Sequence, residues 1–412
     1  PAYLIALAVG RLEFRELDER TGVYAEPELI EDAAWEMQYL PAMVDAAEDL
    51  AGTFPFSRHD LVFMPPDFVA GGMEHPMANF ITPGVITGVR PQLPQPSTLI
   101  AHELAHSWSG DSTTLATWND VWLNEGITSY LTVRFIEALA GADAANLLWW
   151  TDRRNYSGYL SSAPPPDTIL HREVPYPGYG FSTTSYTKGE LFIKTLEDRI
   201  GRDEFDRFIW RYFRTFAYRW VDDTTFIAFL RADALSGKPE LEQSLQLEQW
   251  LYQPGLPSNL TAPTTSVLDE RAKQRAAAFS AGTPLSQLAP ATWTPTDITL
   301  FLQYAVLGSR IAEVDAGLGL SGHPAPPTAW LTASIRANYA PGIAAAERLA
   351  ARPGPRSRLI TIYRTLNETS AGRTRALALF AQHRAVYDLT TENAIAAILG
   401  LQPVAGSIAE AA

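Results

Sequence analysis

The sequence predicts a mainly α-helical protein with a small β element near its start, and three observations lead there. In stretches between residue 26 and residue 236, apolar side chains recur three and four positions apart, the spacing that puts them on one face of a helix. Strand-like runs are confined to Ala2–Gly10 and Leu61–Met64. Beyond residue 266 the chain is rich in Ala and Leu and is broken at short intervals by Pro or Gly, a pattern of stacked helix pairs.

Taken in order, Ala2–Gly10 is apolar but too short to span a membrane and lacks a basic leader, so it reads as a buried strand. Residues 26–51 carry Asp and Glu early and apolar positions at helical spacing after, which predicts one amphipathic helix. Leu61–Met64 predicts a short strand stopped by Pro65 and Pro66. In GGMEHPMANFITPG, Gly71 and Gly72 precede Met73 and Glu74. Glycine has no side chain to keep a ligand away from the backbone, although the same pair also suits a plain hairpin turn.

The stretch PSTLIAHELAHSWSGDSTTLATWNDVWLNE, Pro96 to Glu125, organises the chain. His102, Glu103 and His106 form H-E-x-x-H, so on a helix both imidazoles face one cation. Ser97 sits where an N-cap is expected. Glu125 falls in a second helical pattern, WLNEGITSYLTVRFIEALAG, which can bring a carboxylate alongside. Two imidazoles and one carboxylate suit zinc, at bond lengths of roughly 2.0–2.2 Å. Glu103 points about 100° away from His102 around the helix and can act on a water as general base.

Residues 143–160 predict another helix. Ser161–Gly180 is a long loop rich in Pro and Gly, and such loops are more often functional than accidental. FSTTSYTKG, Phe181 to Gly189, leads into a helix beginning near Lys188, and the aromatic-rich helices of residues 202–236 read as core. Pro254–Ser266 has the composition of a linker. The division is therefore residues 1–253, a linker 254–266, and a helical part 267–412.

Bulk properties narrow the partners. At 412 residues and 46% hydrophobic, the chain can bury two or more domain cores. The net charge of −14 disfavours nucleic acid, and no apolar run reaches membrane-spanning length. There is no cysteine, which excludes disulfides and leaves the compartment, cytoplasm or periplasm, undetermined. The charge is uneven: residues 1–265 carry net −17 and residues 266–412 net +3.

HELAHSWSGD and WLNEG, with GGMEHP before them and SYTKG after, resemble the M1 family of zinc aminopeptidases, in particular its leukotriene A4 hydrolase branch. The likeness runs from PAYLIALAVG through WLYQPGLP into the C-terminal helices and is weakest in the last third. It implies a thermolysin-like gluzincin catalytic domain followed by an α-solenoid-like domain of HEAT/armadillo type. It further implies one zinc per chain on His102, His106 and Glu125, with Glu103 as base and Tyr186 supporting the oxyanion. Gly71, Gly72, Met73 and Glu74 would form the edge that binds substrate, Glu74 holding the α-amine. Arg356 and Arg358 are the nearest match to a basic element that captures the peptide carboxylate.

The expected activity is removal of the N-terminal residue from short peptides with a free N-terminus. Family members also place a β-rich domain before this point, so a longer parent polypeptide is expected. Two departures stand out: His75 where most members have Asn, and Thr132 where many have a Glu that supports a metal-binding His. Epoxide hydrolysis of a lipid is an alternative, but members with that activity have an acidic residue where this chain has Gly178. A catalytically silent peptide-binding scaffold is the other, and the intact Glu103, Tyr186 and ligand set argue against it.

Overall fold

The computed structural model describes residues 2–65, 68, 71–87, 97–352 and 354–402. Pro66 and Pro96 lie outside these residues. Two compact units result, and three chain segments contribute to each. The first unit comprises Pro1–Val62, Gly72–Phe80 and Pro91–Ser266; the second comprises Phe63–Gly71, Ile81–Arg90 and Val267–Ala412.

β1 (Glu13–Glu16) and β2 (Thr21–Ala25) form an antiparallel hairpin, and β2 runs parallel to β3 (His59–Phe63). With β4 (Gly72–Met73) and β5 (Ala78–Ile81) they make a five-stranded sheet in the order β1-β2-β3-β5-β4. The expected strand Ala2–Gly10 does not form. Ala2–Leu4 is a 3-10 turn that buries only Leu4, while Ile5, Leu7 and Val9 are 84, 85 and 86% exposed. A strand needs a neighbour to take its backbone bonds, and β1, not this run, is the sheet's outer strand.

The single helix expected over residues 26–51 is two: α1 (Ile30–Glu36) and α2 (Leu40–Ala51). Pro41 explains the break. It sits in the first turn of α2, where its missing N–H costs nothing, and it would interrupt the interior of one continuous helix.

Next come α3 (Thr98–Ala105), β6 (Thr113–Leu115), α4 (Val121–Ala140) and α5 (Ala142–Leu160). After a loop follow α6 (Gly189–Ile200), α7 (Arg202–Phe216), β7 (Arg219–Val221), α8 (Asp223–Asp233), α9 (Pro239–Leu245) and α10 (Leu247–Tyr252). β6 and β7 pair in parallel as a separate two-stranded sheet. α4 is buried almost all round and packs on α3, α5 and α6. The aromatic run in α7 is core as expected: Phe205, Phe208 and Tyr212 are buried, Phe208 and Tyr212 pack with Phe226, and Phe205 packs with Phe208.

Residues 254–266 are held to this unit by side chains. Asn259 accepts from Trp250 Nε1 at 3.0 Å and donates to Leu245 O at 2.8 Å, and Gly255 N–H reaches Thr168 Oγ1 at 2.9 Å.

The second unit is helical: α11 (Val267–Ser280), α12 (Pro295–Tyr304), α13 (Ile311–Leu318), α14 (Thr328–Arg336), α15 (Ala340–Ala350), α16 (Arg356–Leu366), α17 (Ser370–His383) and α18 (Leu389–Leu399). α14 packs on α15 and α16, and α16 on α17 and α18, the neighbour-on-neighbour order of stacked helix pairs. One apolar cluster, which includes the fully buried Trp330, Ile362 and Tyr363, runs through these helices. Among the described residues no helix is long and apolar enough to cross a membrane.

Candidate metal centre

Ser97 has the extended backbone of an N-cap, but its side chain makes no cap hydrogen bond; its N–H is directed to the Tyr39 hydroxyl at 3.3 Å. The helix nonetheless does what its spacing predicts. His102 lies inside α3 and His106 at its C-cap, so the two rings stand one turn apart, centroids 4.6 Å from each other. α4 crosses α3 and presents Glu125 to both.

Glu125 Oε2 is 3.2 Å from His102 Nε2 and 3.4 Å from His106 Nε2, and the two Nε2 atoms are 3.1 Å apart. Donors bound to zinc at roughly 2.05 Å and tetrahedral angles stand about 3.3 Å from one another, so this triangle fits the ion. The donor chemistry fits as well. Two imidazole nitrogens and a carboxylate oxygen converge in a buried site, where a cation relieves the crowding of lone pairs. Burial works against the Glu125 carboxylate, yet His106 and His102 hold it down at about 2.

Glu103, between the two histidines in sequence, faces a different neighbour. Its carboxylate, together with Glu74 and His106, forms a second group of converging donor atoms. Burial pushes the Glu103 carboxyl up to about 8; His106 pulls against the rise, while Glu74 and Glu125 add to it. Desolvation of this kind is how a carboxylate becomes a base that works near neutral pH. Asn79 of β5 donates to Glu103 O at 2.8 Å and so ties the sheet to α3 at this residue. The glycine next to it has a specific reason. A Cβ on Gly72 would fall on the Glu103 carboxylate, so any side chain there would displace it.

Glu74 is buried and accepts from Asn124 Nδ2 at 3.4 Å. Tyr186 lies in a π-helical turn, Thr184–Lys188, that leads into α6; such turns often mark functional positions. Its ring stacks on His102, centroids 5.9 Å apart and planes 20° from parallel. Burial, then the nearby Glu125 carboxylate, raises its pKa far above the usual phenol range and keeps the hydroxyl protonated, a donor. Lys188 anchors the turn from below, donating to Thr168 O at 2.9 Å and Gln253 O at 2.8 Å.

The structure therefore brings His102, Glu103, His106, Glu125, Glu74, Gly72 and Tyr186 together in the first unit. Met73 continues the β4 edge beside Gly72, and Gly71 N-terminal to it is bonded through its carbonyl to Thr82 N–H at 2.9 Å. Arg356 and Arg358 belong to the second unit, on the first turn of α16. Arg356 is exposed and Arg358 half-buried. Burial, with the neighbouring Arg352, lowers the pKa of Arg358.

Sequence reasoning missed Asn79, Asn124 and Thr128, the side chains that hold Glu103, Glu74 and His106. The available signal was polarity at buried helical positions. Asn124 and Thr128 lie on α4 within one turn of Glu125 and are 2% and 0% exposed.

A family model described as the peptidase family M1 domain matches residues 35–250. Leucine aminopeptidase 2-1 of Meyerozyma guilliermondii is 36% identical over 277 residues, covering 66% of this chain and 44% of that protein. The leukotriene A-4 hydrolase of Xenopus laevis is 35% identical over 264 residues, 62% of this chain and 42% of that one. The chain thus spans less than half the length of these curated relatives. Among solved structures, native leukotriene A4 hydrolase from Saccharomyces cerevisiae superposes with a TM-score of 0.86 at 26% identity, over 97% of this chain and 68% of that one.

Proposed function

The chain belongs to peptidase family M1, and from that premise we propose that it is a zinc-dependent aminopeptidase acting on short peptides with a free N-terminus. The observation that carries this reading is the triangle of His102 Nε2, His106 Nε2 and Glu125 Oε2, with Glu103 and Glu74 converging beside it. One zinc per chain would be held by His102, His106 and Glu125. Zinc bound there supplies Lewis acidity, polarising the scissile carbonyl and making a water nucleophilic.

The protein's own groups do the rest. Glu103 takes the proton of the attacking water and returns it to the leaving amine, a role its position beside Glu74 and His106 allows. Tyr186 donates its hydroxyl proton's hydrogen bond to the oxygen on which negative charge develops. Glu74, oriented by Asn124, accepts from the substrate ammonium through charge-assisted bonds, which confines cleavage to the first peptide bond. The edge Gly71–Gly72–Met73 lies beside it, where extended substrate backbone can pair with β4. Residues 1–253 would carry this chemistry. In residues 267–412, Arg356 and Arg358 would receive the far carboxylate; among the described residues neither has a carboxylate partner. Gly178 supplies no acid for epoxide opening, so peptide hydrolysis is the reading retained.

The test pairs metal analysis with an aminoacyl reporter. Wild type should bind one equivalent of zinc and hydrolyse the reporter. Glu103→Gln should keep the zinc and lose activity by roughly 10²–10⁴-fold. Zinc binding below a tenth of an equivalent, or full activity in Glu103→Gln, would reject the reading.

A further inference from the structure

Each candidate histidine ligand is backed by a threonine of α4, and the two threonines stand one turn apart, as the histidines do on α3. Thr128 Oγ1 lies 3.1 Å from His106 Nδ1 and donates its own proton to Ser109 O at 3.0 Å. Ser109 O is itself 2.9 Å from His106 Nδ1. Thr132 Oγ1 donates to Thr128 O at 2.8 Å and lies 3.5 Å from His102 Nδ1.

A hydroxyl has one proton to give. Both threonines spend it on a backbone carbonyl, so towards the imidazoles they can only accept. Each Nδ1 must then carry the ring proton, which leaves each Nε2 lone pair facing Glu125 Oε2.

The two supports are unequal. The His106 N–H has two acceptors, one of them a carbonyl, and its side chain is 2% exposed. The His102 N–H has Thr132 Oγ1 at the outer limit of hydrogen-bond distance, and its side chain is 18% exposed. A neutral hydroxyl also raises imidazole basicity less than a carboxylate does.

We infer that Thr132 is the positioning residue for His102, and that its single neutral bond makes His102 the ligand through which the metal leaves and returns. This rests on the zinc site proposed above. His106 and Glu125 are the fixed part of the site; rotation of the His102 ring opens it, and Thr132 opposes that rotation.

The experiment follows zinc release from the loaded full chain into excess chromophoric chelator. Thr132→Val keeps the side-chain shape and removes the acceptor; release should quicken roughly tenfold or more. Thr132→Ser restores the acceptor and should release zinc within about twofold of wild type. Thr128→Val should change release less than Thr132→Val, because Ser109 O still holds His106. Metal-free forms of all variants should melt with metal-free wild type, so a folding defect is read separately. Should Thr132→Val not fold, Thr132→Ala removes the same acceptor with less crowding. Equal release from wild type and the acceptor-less variant, or fast release from Thr132→Ser, would overturn the inference while leaving the zinc site standing. Wild type without stoichiometric zinc would remove both.

Discussion

Gly126 and Gly189 meet backbone to backbone where α4 crosses α6. A Cβ on Gly126 would lie 2.7 Å from Gly189 Cα, and one on Gly189 would lie 2.8 Å from Gly126 Cα. Neither residue tolerates a side chain without moving a helix. Glu125 immediately precedes the first glycine, and Tyr186 lies one turn before the second. The contact therefore sets how far the phenol stands from the carboxylate that closes the candidate ligand triangle.

Gly189→Ala should accordingly act on catalysis more than on metal binding. Overpacking of this kind costs about 1–3 kcal/mol, visible as a lowered Tm. The variant should retain zinc, because His102 lies on α3, His106 at its C-cap and Glu125 on α4, while kcat falls as Tyr186 shifts. Steady-state kinetics with metal analysis on one sample checks this; an unchanged kcat would mean that α6 moves without carrying Tyr186.

The exopeptidase assignment turns on Glu74. Glu74→Ala should lower kcat/KM for free-amine substrates by orders of magnitude, and N-acetylated peptides should be poor substrates for wild type. Asn124→Ala, which removes the Nδ2 donor to Glu74, should shift the same substrates in the same direction by a smaller factor. Efficient cleavage of acetylated peptides would place the amine anchor elsewhere.

Arg356 and Arg358 are tested by a pair of substrates that differ in one group. Arg356→Ala or Arg358→Ala should raise KM for tripeptides by roughly tenfold, the worth of one charge-assisted contact. Amino-acid p-nitroanilides lack the carboxylate and should be nearly unaffected. Equal losses on both substrates, or none, would leave these arginines as ordinary surface charges.

Lys188 makes stability depend on pH in a predictable direction. Burial lowers its pKa to about 7, whereas the unfolded chain keeps it near the ordinary lysine value of about 10.4. Between these values the unfolded state binds more protons, so stability rises with pH. The stability difference between wild type and Lys188→Met should therefore grow in favour of wild type from pH 7 to pH 10.5, by roughly 4–5 kcal/mol at most. Denaturant unfolding of both proteins at several pH values measures it. A flat difference would show that the lysine stays charged, held by Thr168 O and Gln253 O.

Much of the site was legible because its chemistry is local. The four-residue interval between His102 and His106 needs only the helix repeat to bring both rings to one cation, and Glu125 needed only a second helix. The aromatic run of α7 was legible as core for the same reason: Phe205, Phe208 and Tyr212 repeat at helical spacing. The N-terminal run was misread because hydrophobicity alone does not supply a strand partner, and Ile5, Leu7 and Val9 remain exposed. Residues 26–51 were read as one helix because the apolar period continues through Pro41, although the backbone does not.

The sequence by itself determined which groups could bind a cation, since residue type and helical spacing dictate ligand chemistry before any packing exists. Only the tertiary structure decided how those groups are held. Thr132 meets His102 across thirty residues of chain, Asn124 meets Glu74 across fifty, and Gly72 yields its side-chain space to Glu103 across thirty-one. No periodicity encodes such contacts. They follow from which helix faces and strand edges come to lie within a few ångströms, and that is settled by burial of the whole core around α4.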